Sequence, residues 1–300
     1  MYNKLFIETD LGRDPDDMIA ILWLLAQSNI NIDTIFITPG DVDQIAVAEF
    51  IRKECSHNFR INTPKINREK RIGKSSSGGA HYKLLKKYGA PLTGTADADI
   101  QNIPYAVSIL SIGPMTNLYT HLSSINEQNN CHFLNTVIQG GFTPYRYGKP
   151  SVILDKFTGL EYCPSFNFSG DIKAFDWAAD FFHYATYVSK NICHTLKSVQ
   201  TDFNDKPNTR AGELMYEFIS IYFEKHKEKA LHDVLPAMIV NEEFGDFVDG
   251  YPDVFFTSGK PVRRGNTYSW ESWKEHPKYA YNKSILDVNY EKFYRLLRSV

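Results

Sequence analysis

Five carboxylates fall within ten residues near the start of the chain, in Glu8-Thr-Asp10-Leu-Gly12-Arg-Asp14-Pro-Asp16-Asp17. Helix capping accounts for one or two of them, because Asp14 or Asp16 suits an N-cap and acids in a first turn favour the helix dipole. It does not account for five converging beside a buried strand end, where like charges repel and desolvation is costly. A bound cation resolves that conflict by holding the carboxylates ionised. No Cys or His lies in the run, so the donors are hard oxygens, which select Ca²⁺ or Mg²⁺ over Zn²⁺. The run is not an EF-hand loop: counting from Asp10, the sixth position is Pro15 rather than Gly and the twelfth is Ile21 rather than Glu. Nor does it match phosphatases that form an aspartyl-phosphate, because Glu8 stands where the nucleophilic Asp belongs.

Alternating strands and helices must position these acids. Residues 4–9 read as a short buried strand, and residues 16–27 as a helix with Met18, Ile21, Leu22 and Leu25 at helical spacing. Further strands are expected over 32–38, 106–112, 134–138 and 186–192. Helices are expected over 42–53, 116–122, 171–182, 211–225, 231–240 and 290–297. Residues 254–257 and 266–270 read as a late hairpin. The polar stretch 68–79 reads as a loop. Repeated strand–helix units imply an α/β fold, a single domain with a mostly parallel central sheet flanked by helices. Ligands of such sheets bind at the carboxyl ends of the strands.

Composition sets the outer bounds. The chain has 300 residues, 33 Lys and Arg against 35 Asp and Glu, and a formal charge of -2, so the basic excess of a nucleic-acid binder is absent. No apolar run reaches the length of a signal peptide core or a membrane span. Cys55, Cys131, Cys163 and Cys193 form no CxxC pair, and reduced thiols in a cytoplasmic protein are the expectation. The surplus is aromatic, with 18 Tyr and 20 Phe.

Asp10-Leu-Gly12 followed by Asp16-Asp17 resembles the N-terminal signature of the inosine-uridine-preferring nucleoside hydrolases, in a longer form with Arg13-Asp14-Pro15 inserted. Further landmarks of that family follow in order: Gly113-Pro-Met-Thr116-Asn117, Val137-Ile-Gln139-Gly140-Gly141, Phe166-Asn167-Phe168, Leu231-His232-Asp233 and Arg264-Gly-Asn-Thr267. The resemblance spans about residues 4–297 and implies a nucleoside hydrolase-like fold with a Rossmann-like core. It implies one Ca²⁺ held by the carboxylates of Asp10, Asp17 and Asp233 and by the main-chain carbonyl of Thr116. It implies that Asp16 accepts the ribose 2′-hydroxyl and that Asn167 contacts the sugar, with Asp233 touching substrate as well as metal. The implied reaction is hydrolysis of a ribonucleoside's N-glycosidic bond to ribose and free base. Asp10 is the candidate general base and His232 the candidate acid for the leaving base; the other reading of His232 is a packing residue at a helix start. A homodimer or homotetramer follows by analogy.

Four departures bear on substrate. Asp41 stands where the family usually has Asn near the sugar. No His aligns with the family's HG pair in the loop after the third strand. Ser165 replaces the usual Glu before Phe166-Asn167, which makes the ribose 5′-region less acidic, and with Lys74 in the loop nearby a 5′-phosphorylated substrate is conceivable. Gln139 replaces an apolar residue, either bonded to backbone or facing a ligand. The aromatics of residues 142–147 suggest a stacking surface for a base larger than uracil or hypoxanthine, such as a queuosine-like deazapurine. Two other classes remain: a metal-dependent phosphohydrolase using the same acids, and a nucleoside sensor that kept the pocket and lost catalysis.

Overall fold

The computed structural model describes residues 4–12, 14–63, 78–97, 106–123, 132–241, 256–272 and 281–300. Lys74, Cys131 and most of the polar stretch at 68–79 lie outside the described residues; Gly78 and Gly79 open a helix. The strands are β1 (Lys4–Thr9), β2 (Asn31–Ile37), β3 (Arg60–Asn62), β4 (Ala106–Ser111), β5 (His132–Gln139), β6 (Cys163–Pro164), β7 (Ala185–Val188), β8 (Lys197–Ser198), β9 (Lys229–Ala230), β10 (Phe256–Arg264), β11 (Thr267–Ser272) and β12 (Lys283–Ile285). The helices are α1 (Pro15–Leu25), α2 (Val42–Glu54), α3 (Gly78–Lys87), α4 (Thr116–Leu122), α5 (Phe166–Gly170), α6 (Ile172–Phe181), α7 (Lys190–Cys193), α8 (Arg210–Phe223), α9 (Val234–Val240) and α10 (Tyr290–Leu297).

Among the described residues the main sheet runs β3-β2-β1-β4-β5-β7-β12-β10-β11-β6. It is parallel from β3 to β12 and antiparallel beyond, through the β10–β11 hairpin. This is the α/β single domain with a mostly parallel sheet that the strand–helix alternation predicts. Two elements differ. The strand expected over 186–192 ends at Val188, and Ser189 starts the short helix α7. The late hairpin turns between Arg264 and Thr267, so its first strand is longer and later than expected.

β1 shows why the strands read as unbroken apolar runs. Leu5 and Ile7 face the core layer that holds α1, α8 and α9, whereas Phe6 faces the opposite layer with Phe36, Ile109 and Leu118. Both faces are covered, as parallel sheets require. α1 is buried around its whole circumference, from Pro15 to Leu24. Its first turn, which contains Asp16 and Asp17, therefore sits inside the protein at the carboxyl end of β1.

Two glycines hold this end of the sheet together. A Cβ on Gly113, just after β4, would lie 2.6 Å from the backbone nitrogen of Asp10. Its absence lets the Ile112 and Gly113 N–H groups reach the Glu8 carbonyl at 2.8 and 3.2 Å. Gly140, after β5, adopts φ +143° with the Phe168 ring against it, where a Cβ would meet that ring at 2.5 Å. Phe168 in turn packs on Phe175 and Tyr268, which fixes the neighbouring Asn167. None of the described helices is long and apolar enough to cross a membrane.

Candidate active site

A cavity of about 370 Å³ opens at the carboxyl ends of β1, β4, β5 and β7. Asp10, Asp14, Asp16, Asp17 and Asp233 line one side, and Gln139, Ser165, Phe166, Asn167, Lys190, His194 and His232 complete the wall with Ile112. Most of the residues singled out in the sequence therefore meet in one place, although they come from positions 10 to 233.

The carboxylates are not equivalent. Asp16, Asp17 and Asp233 are buried and present oxygens that all lie within 4.8 Å of one another. Burial and the neighbouring acids Asp10 and Asp16 push Asp17 well above the usual carboxylate range, and the same forces act on Asp233. Thr9 donates its hydroxyl to Asp17, and the Leu11 N–H holds that hydroxyl at 3.0 Å. Asp16 goes the other way. Burial alone would raise it, but the Lys229 ammonium at 3.3 Å and the backbone N–H of His232 at 3.0 Å hold it well below the ordinary value. Three buried acids with oxygen donors only suit a hard divalent cation, whose charge would offset the repulsion among them. Asp10 lines the same cavity, and its backbone carbonyl accepts from Gln44 at 3.2 Å.

Three expectations require correction. Glu8 does not join the acids. It follows Phe6 on the far face of β1 by the two-residue period of a strand, and it accepts from Thr38 at 2.5 Å and from the Leu118 N–H at 2.8 Å. Burial pushes it up to about 8. Thr116 does not line the cavity; its carbonyl accepts from the Thr120 hydroxyl at 2.8 Å inside α4. The strand-end residue that does line it is Ile112, whose carbonyl accepts from Asn167 at 2.9 Å. Asp41 is buried at the N-terminus of α2, where its N–H donates to Gln44 at 3.0 Å, and it too lies outside the cavity lining.

The aromatic segment 142–147 does not form a base platform either. Phe142 is buried against Phe157, and Tyr145 accepts from the Leu154 N–H. The aromatic side chain that lines the cavity is Phe166, 67% exposed. Gln139 lines the cavity, but its side chain bonds other side chains rather than backbone: its Oε1 accepts from Asn167 at 2.6 Å and its Nε2 donates to Cys193 Sγ at 3.6 Å.

Lys229 and His194 carry no signal in the sequence. Lys229, on β9, is 8% exposed and bridges Asp14 at 2.9 Å and Asp16 at 3.3 Å. His194, at the end of α7, packs its ring 4.7 Å from that of His232. Removing one partner of a buried ion pair leaves an uncompensated charge, so Lys229→Met is expected to lower stability by about 3 kcal/mol. Urea unfolding measures it, and a loss below about 0.5 kcal/mol, the scatter of neutral surface changes, would contradict this account of Asp16.

The family model described as inosine-uridine preferring nucleoside hydrolase matches residues 5–295. An uncharacterized protein of Aquifex aeolicus is 26% identical over 233 residues, 74% of this chain and 76% of that protein. Among solved structures, a plant nucleoside hydrolase, the PpNRh1 enzyme, superposes with a TM-score of 0.69 at 16% identity, covering 99% of this chain and 98% of the other. A purine-preferring ribonucleoside hydrolase from Gardnerella vaginalis gives 0.67 at 13% identity, covering 98% and 96%. At such identities the superpositions speak to the fold alone.

Proposed function

Because the chain belongs to the inosine-uridine preferring nucleoside hydrolase family and is thereby an N-glycosyl hydrolase, we propose that its cavity cleaves ribonucleosides to ribose and free base with Ca²⁺ as cofactor. The observation that carries this reading is the buried trio Asp16, Asp17 and Asp233, with Asp10 and His232 lining the same cavity. Asp10, Asp17 and Asp233 would hold the cation, with the Ile112 carbonyl in place of that of Thr116. When bound, Ca²⁺ would supply a hard positive charge that acidifies water and takes up sugar hydroxyls.

The chain's own groups do the rest. Asp10 accepts the proton of the attacking water on its carboxylate. Asp16, kept ionised by Lys229, accepts a sugar hydroxyl proton in a hydrogen bond and so orients the ring. The Asn167 amide nitrogen donates to the Ile112 carbonyl and to the carbonyl and side-chain oxygens of Gln139, which leaves its amide oxygen to contact the sugar. His232 Nδ1 lies 3.3 Å from Asp16, and its Nε2 is buried without a hydrogen-bond partner among the described residues. In this reading His232 passes a proton to the departing base. Phe166 offers an exposed ring face for the base. The family match argues against the phosphohydrolase and sensor readings.

The test is a panel of purine, pyrimidine and deazapurine ribonucleosides and nucleotides assayed for free base, reducing sugar and inorganic phosphate, with and without chelator. Both products are expected in equal amounts from at least one substrate. Release of inorganic phosphate from nucleotides without base release would overturn the reading.

A further inference from the structure

Away from the carboxylates, the same cavity changes character. The acids sit at the end of β1, and the sheet order β1-β4-β5-β7 puts Lys190 three strands away, on the order of 14 Å between backbones. Lys190 follows β7, and Ser165 precedes α5; both line the cavity. A closed ring of contacts fixes them to each other. The Lys190 N–H donates to the Gly141 carbonyl at 3.1 Å, and the Gly141 N–H donates to Ser165 Oγ at 2.9 Å. The Lys190 ammonium donates to the Pro164 carbonyl at 3.0 Å, next to Ser165.

This ring leaves donors over. An ammonium carries three protons, and one is used on Pro164. No carboxylate among the described residues lies within ion-pair distance of Lys190. Ser165 is 3% exposed, and its oxygen is occupied as an acceptor, so its hydroxyl proton has no acceptor among the described residues. A buried hydroxyl of this kind calls for a partner. His194, which lines the same cavity, accepts the Lys156 ammonium on Nδ1 at 3.1 Å. Burial, His232 and the surrounding lysines keep that imidazole neutral, with its value lowered to about 3. The wall therefore offers a cation and a hydroxyl donor on one rigid loop pair, facing a floor of acceptors.

We infer that Lys190 and Ser165 form a subsite for a phosphate ester, and that the preferred substrates are ribonucleoside 5′-monophosphates rather than free nucleosides. The inference rests on the N-ribosyl hydrolase reading above. A phosphate monoester is close to dianionic at neutral pH and has only acceptor oxygens, the complement of these donors. A ribosyl group whose diol faces the β1 carboxylates directs C5′ away from them, toward the β7 side. The cation on this wall is Lys190, whereas the sequence pointed to Lys74.

Cleavage of inosine and inosine 5′-monophosphate, and of uridine and uridine 5′-monophosphate, tests this directly in the calcium-loaded protein. The monophosphate is expected to have a kcat/KM about tenfold or more above its nucleoside, a difference that one charge-assisted contact supplies. Lys190→Met should lower the ratio of monophosphate to nucleoside kcat/KM by about tenfold, and Ser165→Ala by a smaller factor. Ribose 5-phosphate should raise the melting temperature more than ribose or inorganic phosphate does, and Lys190→Met should erase that excess. Cleavage of nucleosides with no gain from the 5′-phosphate would overturn the subsite and leave the hydrolase reading intact. If no compound is cleaved, the hydrolase reading falls, and ribose 5-phosphate stabilising no more than ribose or inorganic phosphate would overturn the subsite as well.

Discussion

Asp10→Asn is expected to lower kcat for base release on the order of 10³-fold, within the range that a general base contributes. The substitution keeps the shape of the side chain and removes both its charge and its affinity for a proton. Asp10 sits past the end of β1, where Gly113 lets the β4 turn press against its backbone and Gln44 holds its carbonyl. The position is thus fixed by main-chain contacts that an Asn preserves, and folding should be unaffected. Because Asp10 also acts on Asp17 and Asp233 through its charge, the variant should bind calcium more weakly. Assays at saturating calcium separate the two effects: kcat stays low when the metal site is filled. Base release within about tenfold of the unmodified protein under those conditions would remove Asp10 from the role of base.

Calcium removal is the second large effect. Chelation should reduce base release to background, and added Ca²⁺ should restore it. Calcium at about 100 times its Kd should stabilise the fold by about 2.7 kcal/mol through mass action. The pH dependence has a definite sign. Without metal, burial and mutual repulsion raise Asp17 and Asp233, so a cation competes with protons for these carboxylates. Affinity should therefore rise as pH rises, with protons released on binding, and weaken on acidification. Calorimetry in two buffers of different ionisation enthalpy measures the proton release. Calcium affinity that does not change with pH would contradict the assignment of these buried acids as ligands.

Much of the site was readable in the chain because it is built from strand ends. The apolar runs at β1, β4 and β5 and the residues that follow them carry Asp10, Ile112 and Gln139, and α1 begins on the acids themselves. The alternation within β1 also separates Glu8 from Thr9: Phe6 and Glu8 share the face toward α4, whereas Thr9 shares the face of Leu5 and Ile7 and reaches Asp17. Counting acids without that period overstates the cluster by one. Thr116 was misplaced for a related reason: the residue just past β4 that lines the cavity is Ile112, whereas Thr116 opens the next helix, α4.

Other parts depend on tertiary packing. Lys229 and His194 are single polar residues with no motif, and it is tertiary approach, of β9 to α1 and of α7 to His232 and Lys156, that gives them partners. The run Thr186–Ile192 looks like a continuous strand because of its β-branched residues, yet Ser189 breaks it and so delivers Lys190 to the cavity. The aromatics at 142–147 are mostly packed inward, the commoner fate of large apolar side chains, and Phe166 is exposed instead.

The central claim is that this acidic cavity breaks an N-glycosidic bond with water. Its most direct test is a single time course with the calcium-loaded protein and a ribonucleoside or its 5′-monophosphate, following free base and reducing sugar together. The account predicts that the two appear in equal amounts and that both fall on the order of 10³-fold in rate in Asp10→Asn. Base without reducing sugar, or neither product from any ribosyl substrate, would contradict it.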